Sequence, residues 1–173
     1  GFDTETRPVF RKGVKHKVSL LQLSTAKDAF LFRLNHLGLP NELVKLLEDS
    51  SIQKVGVAIL DDVRGLQKLR NFQAGGFIEL ADIAGELGIV TCGLRNLAAI
   101  ILGVRIIKKA QLSNWERPLI NSKQSLYAAT DAWICLEMYL FLKLENLLPK
   151  NIIWQMPRSI NESSSSNTNN NKS

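Results

Sequence analysis

The sequence has few of the residues that build thiol or imidazole sites. It contains two cysteines, Cys92 and Cys135, and two histidines, His16 and His36, in 173 residues. The cysteines lack metal-ligand spacing and lie among apolar neighbours, so we interpret them as buried free thiols of a reducing compartment. The histidines have no partner pattern, and we expect both at the surface. A zinc site, which would prefer nitrogen or sulfur ligands, is therefore not favoured.

Long apolar runs are also missing. No stretch approaches the roughly 18 apolar residues that a membrane-spanning helix requires, and the first residues do not resemble a signal peptide. We therefore expect an intracellular protein, cytoplasmic if it is bacterial, with no membrane partner.

The composition is typical of one globular domain, with 45% hydrophobic and 22% charged residues. The net charge of +6 favours a polyanionic partner such as nucleic acid, although a basic soluble protein would carry the same charge. After Pro157 the sequence is almost entirely serine and asparagine. We predict a folded domain over residues 1–150 and a disordered Ser/Asn-rich tail over residues 151–173.

The hydrophobic pattern predicts an α/β fold. Strands are predicted at residues 1–6, 18–23, 29–34, 54–60 and 77–80, and helices at residues 40–48, 62–72, 81–87, 94–102 and 122–148. The first strands would form an antiparallel meander, and the last two would be joined by crossover helices. The pattern therefore predicts a five-stranded mixed sheet flanked by helices.

Two acids stand two residues apart on the first predicted strand. Asp3 and Glu5 point to the same face of that strand, because side chains alternate along it. Neighbouring carboxylates repel each other unless a cation lies between them. This pair therefore predicts half of a metal site.

Further acids on two predicted helices are candidates to complete the site. Asp131 lies four residues after Tyr127 on an apolar helix face, where a carboxylate needs a partner. Asp62 shares the core face of its helix, whereas Asp61 faces solvent and is interpreted as the helix N-cap. Spacing alone leaves capping open for Asp62, and capping or pairing with a basic residue open for Asp131.

Taken together and in this order, the motifs resemble those of the DEDDy-type 3′–5′ exonuclease family, most closely its Werner-type branch. The segments that carry the resemblance are Asp3-Thr4-Glu5, Asp62 after Gly56-Val57-Ala58-Ile59-Leu60-Asp61, Ser113-Asn114-Trp115 and Tyr127-Ala128-Ala129-Thr130-Asp131. Werner-type domains carry aromatic residues where this chain has Thr6 and Arg64. The resemblance covers about residues 1–148 and implies a ribonuclease H-like fold.

The resemblance also implies a mechanism, in which two Mg²⁺ or Mn²⁺ ions support phosphodiester hydrolysis and release nucleoside 5′-monophosphates. Asp3 would bridge both ions, Glu5 and Asp131 would hold the water-activating ion, and Asp62 would support the second ion through its waters. Tyr127 would orient the attacking water, unless it is a core tyrosine. No helicase follows in this sequence, so a stand-alone exonuclease domain is expected.

Nucleic-acid contacts are predicted at positions flanking these motifs. Val9 and Phe10 are candidates to wedge against the terminal base, or alternatively belong to the core. The cations expected at the phosphates are Lys12, Arg64, Arg95 and Lys109, although for any single one of them a solvated surface charge is the favoured interpretation. We expect Trp115 to pack beneath the connector before the last helix.

Three functions fit this pattern. A DNA 3′–5′ exonuclease is favoured. A ribonuclease D-like enzyme that trims RNA 3′ ends would use the same acids. An inactive nucleic-acid-binding module, the third candidate, would have lost one of them, and none is lost here. The pattern makes no statement about oligomeric state.

Overall fold

The computed structural model describes residues 1–11, 13–91, 93–107 and 110–150. Lys12, Cys92, Lys109 and the predicted tail at residues 151–173 lie outside the described residues. The strands are β1 Phe2–Thr6, β2 Val18–Ser24, β3 Ala29–Phe32, β4 Lys54–Gly56 and β5 Phe77–Glu79. The helices are α1 Leu34–Leu37, α2 Asn41–Glu48, α3 Ile59–Gln67, α4 Leu80–Glu86, α5 Leu94–Leu102 and α6 Ser122–Leu144.

The strands combine an antiparallel and a parallel group. β2 pairs antiparallel with β1 and with β3, and β4 pairs parallel with β5. β1 and β4 lie close together, since an ideal Cβ on Gly56 would stand 2.8 Å from the carbonyl oxygen of Phe2. Glycine at position 56 therefore permits the close approach, and the mixed α/β architecture agrees with the prediction.

Helices cover both faces of the strands. Neighbouring residues of β5 enter different cores, because Phe77 packs with α2 and α3 whereas Ile78 packs with α4, α5 and α6. Leu21 and Leu20 of β2 likewise enter different cores. Leu21 joins the core of α2 and α3, whereas Leu20 packs against Trp115 and against Ala128 of α6. Burial on both faces explains why these strands are continuous apolar runs in the sequence.

The boundary between β4 and α3 differs from the prediction. The apolar run at residues 54–60 predicted one strand, but β4 ends at Gly56 and α3 begins at Ile59. Ala58 adopts a left-handed conformation with φ 61°, which turns the chain between the two elements. α3 accordingly ends at Gln67 rather than residue 72. The interpretation of Asp61 as N-cap is wrong, because Ala58 holds that position.

The last helix, α6, packs over β1, β2 and β3. It begins with a capping box in which Asn121 and Gln124 each accept a backbone N–H from the other residue. It ends at Leu144 instead of residue 148, and Asn146 then takes φ 55°. In the described part of the chain, no helix is long and apolar enough to cross a membrane.

Candidate active site

Three acids from the first strand and the last helix meet between these elements. Asp3 and Glu5 share the face of β1 that α6 covers, and Asp131 lies on the inner side of α6 with 3% of its surface exposed. One carboxylate oxygen from each lies within 4.8 Å of the other two. The structure thus brings together residues that stand 126 positions apart (131 − 5) in the sequence.

Asp62 stands at the margin of this group. It lies in the first turn of α3, and the Thr4 hydroxyl donates to its Oδ1 at 2.5 Å. Thr4 points away from the face that carries Asp3 and Glu5, because alternate side chains of a strand point to opposite faces. Asp62 is therefore tied to β1 from the other side, but its charge still raises the pKa of Asp3 and of Glu5.

Glu79 at the end of β5 fixes the start of the helix that carries Asp62. Its buried carboxylate accepts from the backbone N–H groups of Ala58 at 3.0 Å, Ile59 at 2.7 Å and Ala81 at 3.0 Å. These groups lie at the N-termini of α3 and α4, where helix N–H groups have no partner within the helix. Glu79 thus performs the capping that the sequence had suggested for Asp61.

The clustered carboxylates favour their protonated forms. Burial raises the pKa of Glu5 to about 9, with further increases from Asp131 and Asp62. Burial likewise raises the pKa of Asp62 to about 7 and that of Asp131 to about 6, although hydrogen bonds from Thr4 and Tyr127 oppose these shifts. Burial and the charges of Asp62, Glu5 and Asp131 raise the pKa of Asp3. When deprotonated, the acids would carry an excess of negative charge that a divalent cation would neutralise.

The donor set suits a hard cation. All ligand atoms of the three-acid group are oxygens, which Mg²⁺ and Mn²⁺ prefer. Oδ1 of Asp131 is buried and has no hydrogen-bond partner among the described residues, so it is free to coordinate an ion. Cys135 lines the same cavity, but burial and the nearby Asp3 raise the pKa of its thiol and disfavour the thiolate that binds metals.

Tyr127 places its hydroxyl beside Asp131 on the same face of α6. Burial raises the pKa of Tyr127, and the neighbouring Asp131 carboxylate raises it further, so the phenol remains protonated. The ring packs on Trp115 with centroids 6.1 Å apart, and Trp115 is fully buried. The prediction that Trp115 packs beneath the connector is confirmed, and this packing orients the tyrosine.

The acids open into a cavity of about 460 Å³, which Arg95, Asn96, Gln111 and Tyr127 also line. The charge of Arg95 lowers the pKa of Asp131, so this predicted phosphate contact lies near the acids. Arg64 is exposed on α3 and does not line the cavity. Lys12 and Lys109 lie outside the described residues.

The predicted wedge residues are exposed. Phe10 has 81% and Val9 47% of its surface accessible, so the alternative of core packing is wrong for both. Phe10 lines a second cavity of about 460 Å³ together with Arg7, Arg11 and His16. An exposed aromatic ring beside arginine side chains is a combination that proteins use to bind a single strand of nucleic acid.

Sequence reasoning missed Thr4 and Glu79. Thr4 lies between two recognised acids, and the alternation of a strand indicates that it faces the opposite helix layer. Glu79 is an acid directly before a helix, which is itself a capping signal. Neither pattern reveals that the partner is α3, since that contact depends on the tertiary fold.

The acid cluster predicts that the metal-free protein loses stability as pH rises. Because these pKa values are raised, the folded chain binds more protons than the unfolded chain over a range of pH. The range begins near pH 4, the pKa of a carboxyl group in the unfolded chain, and ends at the folded pKa values near 6, 7 and 9. We expect a melting temperature about 5 °C higher near pH 5.5 than near pH 8 in EDTA. Differential scanning calorimetry measures this difference.

Mn²⁺ provides the control for this melting experiment. It should raise the melting temperature more near pH 8 than near pH 5.5, because the ion competes with protons for the carboxylates. A melting temperature that rises with pH in EDTA, or that Mn²⁺ leaves unchanged at both values, would contradict the charge arrangement described above.

Comparison with known proteins yields matches along most of the chain. The model of a 3′–5′ exonuclease family matches residues 1–149. The mouse bifunctional 3′–5′ exonuclease/ATP-dependent helicase WRN is 35% identical over an alignment of 153 residues that covers 85% of this chain. The chain spans only 11% of that protein's length.

Solved structures share the architecture. The EXO domain of Nibbler from Aedes aegypti is 25% identical and aligns with a TM-score of 0.74 over 83% of this chain and 77% of that domain. Escherichia coli RNase D, described as an exoribonuclease involved in structured RNA processing, is 22% identical. It aligns with a TM-score of 0.68 over 86% of this chain and 40% of its own.

Proposed function

Because the chain belongs to the 3′–5′ exonuclease family, we propose that it hydrolyses phosphodiester bonds of DNA from the 3′ end and releases nucleoside 5′-monophosphates. One observation supports this best. Carboxylate oxygens of Asp3, Glu5 and Asp131 lie within 4.8 Å of one another, and all three residues line the same cavity. Such a group of buried acids costs stability unless cations occupy it. A catalytic centre can bear this loss of stability because its function requires the acids.

We propose that the carboxylates hold two divalent cations, Mg²⁺ or Mn²⁺. Asp3 would contact both ions, Glu5 and Asp131 one of them, and Asp62 the other through its waters. When bound, such ions lower the pKa of a coordinated water and stabilise negative charge on the leaving 3′ oxygen. The raised pKa values of Glu5 and Asp131 imply that these acids release protons when the cations bind.

The protein side chains then have distinct tasks. Tyr127 keeps its proton, so its hydroxyl acts by donating to or accepting from the attacking water rather than as a general base. Arg95 lines the cavity and lies close enough to Asp131 to lower its pKa, a position suited to a scissile phosphate. Phe10 and Val9 would contact the terminal base, and the surrounding cations the strand's phosphates.

DNA is the proposed substrate because the Werner-type segments extend along the chain and the mouse relative is 35% identical. RNA is the second candidate, because the fold also resembles that of RNase D. The acid cluster acts on a phosphodiester and contains no feature that selects the sugar. The choice therefore depends on contacts to the 2′ position outside the cluster.

The test compares DNA and RNA strands of the same sequence, each labelled at the 5′ end and incubated with Mn²⁺. We expect a ladder of products shortened from the 3′ end, faster for DNA, with nucleoside 5′-monophosphates released. The Asp131→Asn protein is the control and should leave both strands intact. Faster digestion of RNA would identify an exoribonuclease, and undiminished digestion by Asp131→Asn would reject this site.

Tyr127→Phe should lower kcat by about 10- to 100-fold and change KM little, because it removes one oriented hydroxyl without altering the metal ligands. The phenylalanine ring retains the packing on Trp115. Steady-state kinetics on a labelled strand measures the change. The increase in melting temperature caused by Mn²⁺ should be that of the wild type, and a lost increase would place Tyr127 among the metal-supporting groups instead.

A further inference from the structure

One buried amide next to the acid cluster has no use in the scheme above. Gln22 of β2 has none of its surface exposed, and neither Nε2 nor Oε1 of its side chain has a hydrogen-bond partner in the described part of the chain. Burying an amide without partners is unfavourable, and a leucine or methionine would fill the same space without that cost. The amide therefore needs a partner in another state of the protein.

The strand register identifies the acid that Gln22 faces. Gln22 is directly opposite Asp3 in the antiparallel pair β1–β2. Opposed residues of an antiparallel pair project to the same face with Cβ atoms about 5 Å apart, within reach of a glutamine side chain. α6 covers this face, and Gln22 is fully buried there, whereas Asp3 borders the cavity.

Asp3, like Glu5, has no side-chain donor among the described residues. Asp62 accepts from the Thr4 hydroxyl and Asp131 from the Tyr127 hydroxyl, whereas the hydrogen bond described for Asp3 comes from the backbone of Thr4. A carboxylate that binds metal is held in orientation by donors outside the coordination shell. Nε2 of Gln22 is an uncommitted donor placed opposite Asp3.

The other half of the amide also has a candidate partner nearby. Ser24 lies two residues further along β2, on the same face as Gln22. Its Oγ is buried and has no partner in the described residues. If Oε1 of Gln22 accepts from the Ser24 hydroxyl, both amide atoms are satisfied and Nε2 points towards β1.

From this arrangement we infer that Gln22 is a positioning residue, which donates its Nε2–H to the Asp3 carboxylate when Asp3 binds metal. The inference rests on the proposed metal site. With cations bound, the Asp3 carboxylate would be a fixed acceptor, and Gln22 would hold its orientation towards them.

Gln22→Met tests this inference, since methionine fills the volume and removes the donor. In EDTA the variant should melt at or above the wild-type temperature, because the lost amide had no partner. Its apparent affinity for Mn²⁺, measured from the melting temperature at increasing Mn²⁺, should fall about 10- to 100-fold. At limiting Mn²⁺, kcat should fall and KM for the strand should stay constant. Gln22→Leu should repeat the result.

Leu23→Met is the matched control, because Leu23 is the next residue of β2 and faces the opposite core. It should bind Mn²⁺ as the wild type does. Wild-type Mn²⁺ affinity in Gln22→Met would overturn the inference. It would also be overturned if Gln22→Met and Gln22→Leu both melted below the wild type in EDTA. If the wild type itself neither binds Mn²⁺ nor digests a strand, the proposed function fails first.

Discussion

Asp3→Asn should slow removal of nucleotides by on the order of 1,000-fold, since the two proposed cations would contribute several kcal/mol and each ~1.4 kcal/mol is tenfold in rate. Asp3 is the acid whose pKa is raised by all three of its neighbours, so it lies where their fields overlap. Release of a labelled nucleotide at saturating Mn²⁺ measures the rate.

The same substitution should stabilise the protein when no metal is present. An asparagine removes one ionisable acid from the cluster, so the melting temperature in EDTA near pH 8 should rise although activity with Mn²⁺ falls. The matched control is Asp61→Asn, because Asp61 is an exposed acid next to Asp62 and lies outside the cavity lining. It should retain nearly full activity. Equal activity of Asp3→Asn and Asp61→Asn would reject the site.

Glu79→Ala should lower the free energy of unfolding by on the order of 3–5 kcal/mol, because three backbone N–H groups lose a charged acceptor. That is a large share of the roughly 5–15 kcal/mol that stabilises a typical domain. Guanidinium unfolding followed by circular dichroism measures it. Activity should fall even under conditions where the variant is folded, because the start of α3 positions Asp62.

Glu79→Gln and Glu86→Ala define how specific this effect is. In the wild type, Oε1 accepts from Ala58 and Ala81, and Oε2 accepts from Ile59. Glutamine retains one of these two oxygens, so Glu79→Gln should lower the free energy of unfolding less than Glu79→Ala does. Glu86 is an exposed acid on α4, and its loss should change stability by less than about 0.5 kcal/mol. If Glu79→Ala unfolds at the wild-type denaturant concentration, the capping role is wrong.

The sequence was informative where local spacing carries the signal. Alternation along β1 placed Asp3 and Glu5 on one face, and the four-residue spacing of Tyr127 and Asp131 placed them on one face of α6. Burial on both sides made β2 and β5 recognisable as apolar runs. The order of strands and helices then predicted the mixed arrangement.

Other features depend on contacts that spacing does not reveal. The run at residues 54–60 is rich in β-branched residues, yet Ile59 belongs to α3, because Ala58 turns the chain and Glu79 caps the new helix. The backbone strain at Ala58 is compensated from β5, about twenty residues later in the sequence. Likewise, nothing near Gln22 in the sequence shows that its amide lies unpartnered opposite an acid.

The chain order of the clustered acids has a consequence for synthesis. Asp3 and Glu5 emerge from the ribosome before Asp131 and Tyr127, which lie on α6, the final helix among the described residues. A nascent chain that ends before α6 lacks both the helix that covers β1 and Asp131, the third acid of the cluster. We therefore expect the proposed nuclease activity to arise only after α6 has docked and Asp131 has completed the cluster.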